Sequence, residues 1–394
     1  MSEGEAVKTH GLDGTLVAPD WPPLTADEVR TVLNAYGVRG PFGILSASPR
    51  PLSAASLVSA CDGNVFVKRH AQPVRDAESL REEHGFMDHL RAHGAPVPRV
   101  LRTKSGESAL EMGKWTYEVH EPAAGVDLYE DAISWTPFRS PLHARSAGEM
   151  MARLHLAAQG YEAPPRTSRP LVAGFSIFSA ADPAMPMEDY IAARPALQCY
   201  LAQRHCAEDA LSLLAPLHQE LAPHSPHLAP LWTHNDFHAS NLFWSAAGWD
   251  AQTTSIIDFG LCDRTNAVHD LAHAIERNIV EWLALINHPA RPENVPVHFD
   301  HLSALLEGYE SVRPLSHAEA QALAPMTALC HAEFALSETD YFLNVLHSAD
   351  NAWFACEGYL VLHSNWWRGP GMRLLDWLRT WAANGRGAGQ RTER

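Results

Sequence analysis

The sequence has no uninterrupted apolar run that approaches the roughly 18–20 residues a membrane-spanning helix needs. Residues 1–30 also lack the basic and then apolar pattern of a secretory signal peptide. We therefore expect a soluble cytoplasmic protein with no membrane partner.

Basic residues are scarce in this chain. Lys and Arg number 30 against 46 Asp and Glu, which gives a formal net charge of −16 at pH 7. A chain this acidic repels the phosphate backbone of DNA and RNA. We therefore expect no nucleic-acid partner.

The cysteines form no C-x-x-C pair, which argues against a zinc ribbon or a thiol redox motif. We expect each of them to be a small buried apolar side chain. The six are Cys61, Cys199, Cys206, Cys262, Cys330 and Cys356.

Apolar residues make up 46% of the 394 positions, so the chain can bury a sizeable core in two or three domains or lobes. Residues 25–121 are β-rich with one clear long helix, and residues 128–384 are mainly helical. We predict an α+β fold with a small antiparallel sheet lobe, a hinge at 122–127 and a larger helical lobe. Residues 1–24 are expected to be a flexible arm and residues 385–394 a disordered tail.

Local signals place the elements of the first lobe. Thr25 and Glu28 form a capping box that begins a short helix, and Asp62-Gly63 predicts a two-residue hairpin. The predicted strands cover 42–46, 55–60, 64–69, 97–101, 108–112 and 115–120, and the helix covers 77–92.

The helical lobe is predicted from apolar periodicity. One segment, 190–221, is expected to break near Pro195 and near Pro216. The other predicted helices cover 143–159, 268–285, 299–309, 318–346 and 352–367.

Two polar motifs lie in a β-rich island at 231–260. His234, Asp236 and Asn241 have the spacing H-x-D-x-x-x-x-N, and Asp258 opens an Asp-Phe-Gly turn after an apolar strand. Phosphoryl transfer from a magnesium nucleotide needs a carboxylate that orients and deprotonates the attacking hydroxyl, and hard oxygen ligands for Mg²⁺. Asp236 suits the catalytic base, and Asn241 and Asp258 suit the metal.

This island resembles the catalytic segment of the aminoglycoside phosphotransferase and choline kinase-like superfamily, which is related to the protein kinases. The stretches 258–264 and 269–272 extend the likeness, and the overall layout resembles the homoserine-kinase-like branch. The resemblance implies a protein-kinase-like fold of two lobes. It also implies transfer of the γ-phosphate of ATP or GTP, with Mg²⁺, to a hydroxyl group of a small molecule.

Lys68 lies at the end of an apolar strand segment. It resembles the strand lysine of this superfamily, whose side chain pairs with nucleotide phosphates. Its partner should be a glutamate on the next helix. Glu78, Glu82 and Glu83 are available, and the spacing favours Glu83.

Residues 117–121 resemble the hinge strand whose backbone binds adenine. Val119 and Glu121 flank the expected nucleotide site, and an ordinary linker is the alternative interpretation. Residues 46–53 occupy the place of the phosphate loop but contain no glycine, unlike the G-x-G-x-x-G loop of protein kinases. No phosphate donor can be named from this loop.

Candidate acceptor-binding residues are weaker. His238 either touches the acceptor or shapes the catalytic loop, and Asp263 lies toward the acceptor side. Glu333 belongs to an acidic segment that either holds an amine of the acceptor or is a solvated face. Asp270 and His234 are expected to brace the loop through its backbone.

Three functions compete. A small-molecule kinase is favoured because Lys68, Asp236, Asn241 and Asp258 are all retained, which a pseudokinase-like nucleotide-binding module would not require. A protein kinase is disfavoured because no A-P-E segment follows Asp258, so no peptide-docking loop fits. The acceptor stays open between an amino alcohol or homoserine-like metabolite, a sugar and an antibiotic.

Overall fold

The computed structural model describes residues 19–167 and 170–384. The expected tail at 385–394 and most of the expected arm, residues 1–18, lie outside the described residues. Residues 20–24 pack on the body of the protein. The Tyr341 hydroxyl donates to Asp20 at 3.0 Å, Trp21 stacks edge-on against Trp115, and Leu24 is buried.

The first lobe is a five-stranded antiparallel sheet in the order β1-β2-β3-β5-β4, flanked by two helices. The predicted capping box is present at Thr25 and Glu28, and the predicted hairpin joins the second and third strands. The elements are α1 Ala26–Ala35, β1 Gly43–Ala47, β2 Ala54–Ala60, β3 Gly63–Ala71, α2 Ala77–Ala92, β4 Ala109–Met112 and β5 Trp115–His120.

The register of β3 against β5 sets one face of this sheet. Lys68 lies directly opposite Glu118, so both side chains project from the same face. His70 and His120 are two residues along from them and share that face. The predicted strand at 97–101 is absent, because only Val100 pairs there, through an isolated bridge to His120.

The linker between the lobes is attached to the second lobe. Val126 and Trp244 exchange backbone hydrogen bonds of 2.8 and 2.9 Å. Gly125 has φ +114°, and a Cβ there would lie 2.6 Å from the Trp244 carbonyl oxygen and would also clash with Thr254. Glycine is therefore required at this position by close packing as well as by its backbone conformation.

The second lobe is helical around two short antiparallel pairs, β6 with β9 and β7 with β8. Five tryptophans are fully buried in its core: Trp232, Trp244, Trp282, Trp366 and Trp367. Its strands are β6 Pro230–Thr233, β7 Leu242–Trp244, β8 Thr253–Ile256 and β9 Asp263–Asn266. Its helices are α3 Pro141–Ala157, α4 Ala184–Ala192, α5 Pro195–Leu201, α6 Cys206–Leu221, α7 Ala267–Ile279, α8 Trp282–Asn287, α9 Phe299–Val312, α10 His317–Leu329, α11 His331–Asn344, α12 Ala349–Trp353, α13 Leu362–Arg368 and α14 Met372–Asn384, with a π-helical stretch at Phe354–Val361.

Several predicted helix boundaries are wrong. The helix Cys206–Leu221 continues through Pro216, because both flanking leucines, Leu214 and Leu217, are buried and hold it in place. The predicted helix 268–285 breaks at Val280, whose extended backbone pairs with Val297. The predicted helix at 318–346 is divided at Cys330, between α10 and α11.

The cysteines differ from the expectation of six buried thiols. Cys206 and Cys356 form a disulfide that joins α6 to the π-helical stretch, and Cys61 and Cys199 are exposed. Only Cys262 and Cys330 are buried free thiols. Sequence spacing does not reveal this pairing, since the bonded cysteines are 150 residues apart.

Across residues 19–167 and 170–384, the helices are all too short or too polar to cross a bilayer.

Candidate active site

The catalytic loop is held by α7. The Asp270 carboxylate accepts the backbone N–H groups of His234 and Asn235 at 3.0 and 2.8 Å. The Asn278 side chain accepts from the Ala239 backbone and donates to the Phe237 carbonyl, both at 2.9 Å. One helix therefore fixes the backbone on both sides of Asp236.

Asp236 and Asn241 lie together in this loop. The Asn241 side-chain amide donates to the Asp236 carbonyl at 2.9 Å and to its carboxylate at 3.1 Å. Burial alone would raise the pKa of Asp236, but His238 and Arg277 outweigh it and hold the pKa well below its ordinary value. Asp236 is thus an ionised carboxylate that can accept a hydrogen bond from an attacking hydroxyl.

Asp258 adopts a left-handed backbone conformation, with φ +59°, after β8. This is uncommon for a residue other than glycine and is often found at functional sites. The Ile257 N–H donates to the Asn241 carbonyl at 3.0 Å, and His234 Nε2 donates to the Ile257 carbonyl at 2.9 Å. The two motifs of the sequence are therefore joined directly, with His234 bracing the backbone.

Lys68 crosses from the first lobe to the second. Its Nζ lies 2.9 Å from Oδ1 of Asp258. Burial lowers the pKa of Lys68, but the charges of Asp258, Glu118 and Glu83 outweigh burial and raise it. The ammonium is thus permanently charged, at a place where both lobes reach one cavity.

Glu83 contributes charge but no close contact to Lys68. Its carboxylate lies 3.7 Å from Arg166 Nη2, and Arg166 also donates to the carbonyls of Gly260 and Ser79, both at 2.9 Å. Among the described residues, Asp258 is the carboxylate that pairs with Lys68 within 4 Å. Glu83 is turned toward Arg166 because that buried guanidinium needs a counter-charge.

Glu118, which sequence reasoning did not single out, is the centre of a buried cluster. Oε1 accepts from His70 at 2.8 Å, and Oε2 accepts from His84 at 2.7 Å and His120 at 2.6 Å. Burial would raise the pKa of Glu118, but the three histidines hold it well below its ordinary value. The alternation of side chains along β5 could have shown that Glu118 points inward, on the same face as Lys68. The sequence around Glu118 does not show that His70 and His84, from β3 and α2, contact it.

Val119 and Glu121, the residues expected to flank the nucleotide site, have backbone groups that are hydrogen-bonded within the protein. Leu101 N–H donates to the Val119 carbonyl at 2.8 Å, and Glu121 N–H donates to the Arg99 carbonyl at 2.9 Å. The Glu121 carboxylate forms a surface ion pair with Arg99 at 2.6 Å. Both residues therefore pair with the segment beside β5.

The weaker acceptor candidates also make local contacts. His238 Nε2 is 3.5 Å from the Asp236 carboxylate. Asp263 accepts the backbone N–H groups of Arg166 and Arg264 at 2.8 and 2.7 Å. Glu333 is buried and accepts the backbone N–H groups of residues 176 and 177 at 2.7 and 3.2 Å. Asp263 and Glu333 thus stabilise backbone, and neither lines the cavity beside Asp236.

The cavity between the lobes brings further charged and aromatic side chains close to Asp236. Arg277 lies 3.9 Å from Asp236 and 3.3 Å from Glu276, with its guanidinium 5.0 Å above the Phe334 ring. The cavity is lined by Arg50, Lys68, Arg75, Trp135, Asp236, Asp258, Arg277, Phe334, Glu338, Phe342 and Phe354, among others. It therefore brings Asp236 and Asp258 together with basic side chains, aromatic rings and the carboxylate of Glu338.

This two-lobe architecture, with a lysine from the sheet facing an Asp-Phe-Gly aspartate, is protein-kinase-like. Residues 52–315 match the model of the phosphotransferase enzyme family known as APH. The match covers more than half of the chain, so the chain belongs to this family. It is a phosphotransferase with an alcohol group as the acceptor, as its sequence predicts.

Individual relatives are distant. Homoserine kinase from Agrobacterium fabrum is 25% identical over 308 residues, which are 76% of this chain and 80% of that protein. The structure of a microcompartment-associated aminopropanol kinase has a TM-score of 0.57 at 17% identity, covering 90% of this chain and 99% of that one. Amicoumacin kinase in complex with AMP-PNP and Ca²⁺ has a TM-score of 0.52 at 13% identity, covering 91% and 94%. These structures confirm the predicted fold.

Proposed function

We propose that the protein transfers the γ-phosphoryl group of ATP, bound with Mg²⁺, to the hydroxyl group of a small amine-bearing alcohol. The observation that carries this proposal is the convergence of Lys68 and Asp258, 2.9 Å apart, beside the Asp236–Asn241 loop. Positioning and charge stabilisation supply most of the catalysis in such a transfer.

The side chains present fit a hard divalent cation. Asn241 and Asp258 offer oxygen donors from adjacent backbone segments, and such donors suit Mg²⁺ or Mn²⁺. The cation would neutralise charge on the nucleotide phosphates. The chain's own residues do the rest: Asp236 orients the acceptor hydroxyl and takes its proton, and Lys68 stabilises phosphate charge.

An amine on the acceptor is supported by two independent points. Glu338 lines the cavity together with Trp135, Phe334 and Phe342, and a carboxylate beside aromatic faces suits an ammonium group. Homoserine and aminopropanol, the acceptors that the names of two similar proteins give, both carry an amine near the hydroxyl.

Release of ADP, followed with a panel of acceptors, tests the proposal. Homoserine and aminopropanol should be phosphorylated with a kcat/KM at least tenfold above that of propanol and simple sugars, and aminoglycosides form a third arm. GTP in place of ATP gives the nucleotide preference. Faster turnover of propanol or sugars would contradict the amine requirement. Nucleotide binding without ADP release by any acceptor would favour a binding module instead.

We also infer a cytoplasmic location, because the cytoplasm supplies ATP. The Cys206–Cys356 disulfide is uncommon in that reducing compartment. Fractionation of cells that produce the protein tests its location. Alkylation of free thiols at lysis tests whether Cys206 and Cys356 are bonded in that compartment.

A further inference from the structure

The segment 48–51 of the loop beside the cavity has little backbone to offer a phosphate group. Pro49 and Pro51 have no N–H. The Ser48 N–H donates to the Ala55 carbonyl at 2.8 Å, and the Arg50 N–H donates to the Ser48 hydroxyl at 3.3 Å. Residues 48–51 therefore present no free amide of the kind that a glycine-rich loop uses to hold phosphates.

Arg50 projects from this loop into the cavity that holds Lys68, Asp236 and Asp258. Burial is the largest effect on Arg50 and lowers its pKa, and the charges of Asp127, Asp258 and Asp236, in that order, oppose it. Its Nη1 and Nη2 donate to the carbonyls of Ala132 and Tyr129 at 2.6 and 3.4 Å. A guanidinium has five N–H donors, so these two bonds leave donors for a ligand.

The loop holds Arg50 in a fixed position. A proline restricts its own φ and the conformation of the residue before it, so Pro49 and Pro51 limit the backbone on both sides of Arg50. The carbonyl of Pro51 accepts from the Asp20 N–H at 3.0 Å, and the carbonyl of Leu52 accepts from Trp21 Nε1 at 3.2 Å. The guanidinium is therefore preorganised, which lowers the cost of binding through it.

Other arginines of the cavity are already engaged. Arg75 donates to four backbone carbonyls, those of Val74, Pro170, Leu171 and Gly260, at 2.6–2.9 Å. Arg277 lies between the carboxylates of Glu276 and Asp236, and Lys68 is paired with Asp258. Arg50 differs from both: among the described residues it forms no ion pair with a carboxylate within 4 Å, and it donates to only two carbonyls, so some of its N–H donors stay available to an anion.

We propose that Arg50 is a catalytic residue that binds the β- and γ-phosphates of the nucleotide and replaces the amides of the missing glycine-rich loop. The proposal rests on the proposed function. In the transfer, the acceptor oxygen bonds to the γ-phosphorus, the bond to the β,γ-bridging oxygen breaks, and the hydroxyl proton passes to Asp236. Arg50 forms no covalent bond and stabilises the charge on the phosphoryl oxygens, where a guanidinium can donate two parallel hydrogen bonds.

The test compares Arg50→Ala and Arg50→Lys with the wild-type full chain. Arg39→Ala is the matched control, because Arg39 is an exposed arginine of the same lobe that pairs with Asp62. Calorimetry measures the affinity for adenosine, ADP and AMP-PNP with MgCl₂, and ADP release measures turnover. Circular dichroism verifies that each variant is folded.

We expect Arg50→Ala to keep adenosine affinity within about twofold, to bind AMP-PNP more than tenfold more weakly and to lose about 100-fold in turnover, as for removal of a donor to transition-state charge. Arg50→Lys should recover part of both losses, and guanidine hydrochloride at non-denaturing concentration should partly restore turnover of Arg50→Ala. Arg39→Ala should match the wild type.

The outcomes separate the two levels of inference. Equal losses for adenosine and AMP-PNP, with no rescue by guanidine, would show that Arg50 only fastens the loop to Ala132 and Tyr129. Unchanged turnover in Arg50→Ala would also overturn the catalytic role. Failure of the wild type itself to bind AMP-PNP would refute the proposed function rather than the assignment of Arg50.

Discussion

Replacing Glu118 with Gln tests whether the buried cluster holds the first lobe together. Glu118 is 1% exposed and accepts hydrogen bonds from His70, His84 and His120. Because an ionised carboxylate can only accept, each histidine must carry its proton on Nε2. The cluster therefore joins β3, α2 and β5 through three charge-assisted hydrogen bonds.

Glutamine keeps the shape of this side chain but replaces one acceptor with an NH₂ donor. If the amide nitrogen takes the place of Oε2, it faces the donors of both His84 and His120, and if it takes the place of Oε1, it faces His70. A hydrogen bond to a charged group contributes about 1.5–3 kcal/mol, and an unsatisfied buried donor adds its own cost. We expect the free energy of unfolding to fall by about 3–5 kcal/mol.

Thermal and guanidinium unfolding, followed by circular dichroism, measure this loss. The control is Glu107→Gln, since Glu107 is an exposed glutamate of the same lobe that pairs with Arg81 at 3.4 Å. Such a surface pair contributes at most about 1 kcal/mol. If Glu118→Gln is no less stable than Glu107→Gln, the cluster is not a stabilising unit and the reasoning is wrong.

The cluster also sets a pH dependence. The pKa of Glu118 is lower in the folded than in the unfolded protein, so its contribution is complete above the unfolded pKa of about 4.3 and is lost as the pH falls through the folded value. The stability difference between wild type and Glu118→Gln should therefore be smaller below about pH 4 than at pH 7. A difference that grows on acidification would contradict this sign.

Three further predictions follow from the site and the fold. Asp236→Asn should leave nucleotide affinity nearly intact and lower turnover by about 100-fold or more. The control Asp250→Asn, on the exposed hairpin turn, should keep full activity. Full activity of Asp236→Asn would show that Asp236 is not the catalytic base. ATP binding measured by calorimetry should require Mg²⁺ or Mn²⁺ and should weaken in Asp258→Ala, and equal affinity with and without metal in both proteins would exclude the metal role. The denatured, unreduced protein should titrate four thiols, rising to six after reduction, whereas six thiols before reduction would show that Cys206 and Cys356 are not bonded.

The sequence predicts the catalytic centre better than its surroundings. Asp236, Asn241 and Asp258 lie within one short island, so a hairpin is enough to bring them together. Lys68 is far from them in sequence, and its role is implied by its resemblance to the strand lysine of the superfamily; in the structure its Nζ lies 2.9 Å from Asp258. The partner of Lys68 was harder to predict, because a carboxylate on a helix turns toward whichever cation packs nearest, which for Glu83 is Arg166.

Contacts between distant segments explain what the sequence did not show. Nothing near residue 50 indicates that Arg50 reaches the carbonyls of residues 129 and 132, and no spacing rule relates Cys206 to Cys356. The segment at 97–101 has the composition of a strand but finds only one partner position, because β4 already pairs with the rest of β5. These features depend on which segments meet in the fold and not on local propensity.

The charge balance of the cavity bears on how a nucleotide could bind there. A nucleotide adds negative charge beside Asp236 and Asp258, and the ammonium of Lys68 is already paired with Asp258. Without additional positive charge, phosphate binding there would be unfavourable, since charges in a partly buried cleft interact more strongly than in water. A divalent cation held by Asn241 and Asp258 would supply part of that charge, and the arginines that line the cavity, Arg50, Arg75 and Arg277, would add to it. Arg50 keeps unused N–H donors, and it is therefore the side chain that we propose for the role that a glycine-rich loop has in protein kinases.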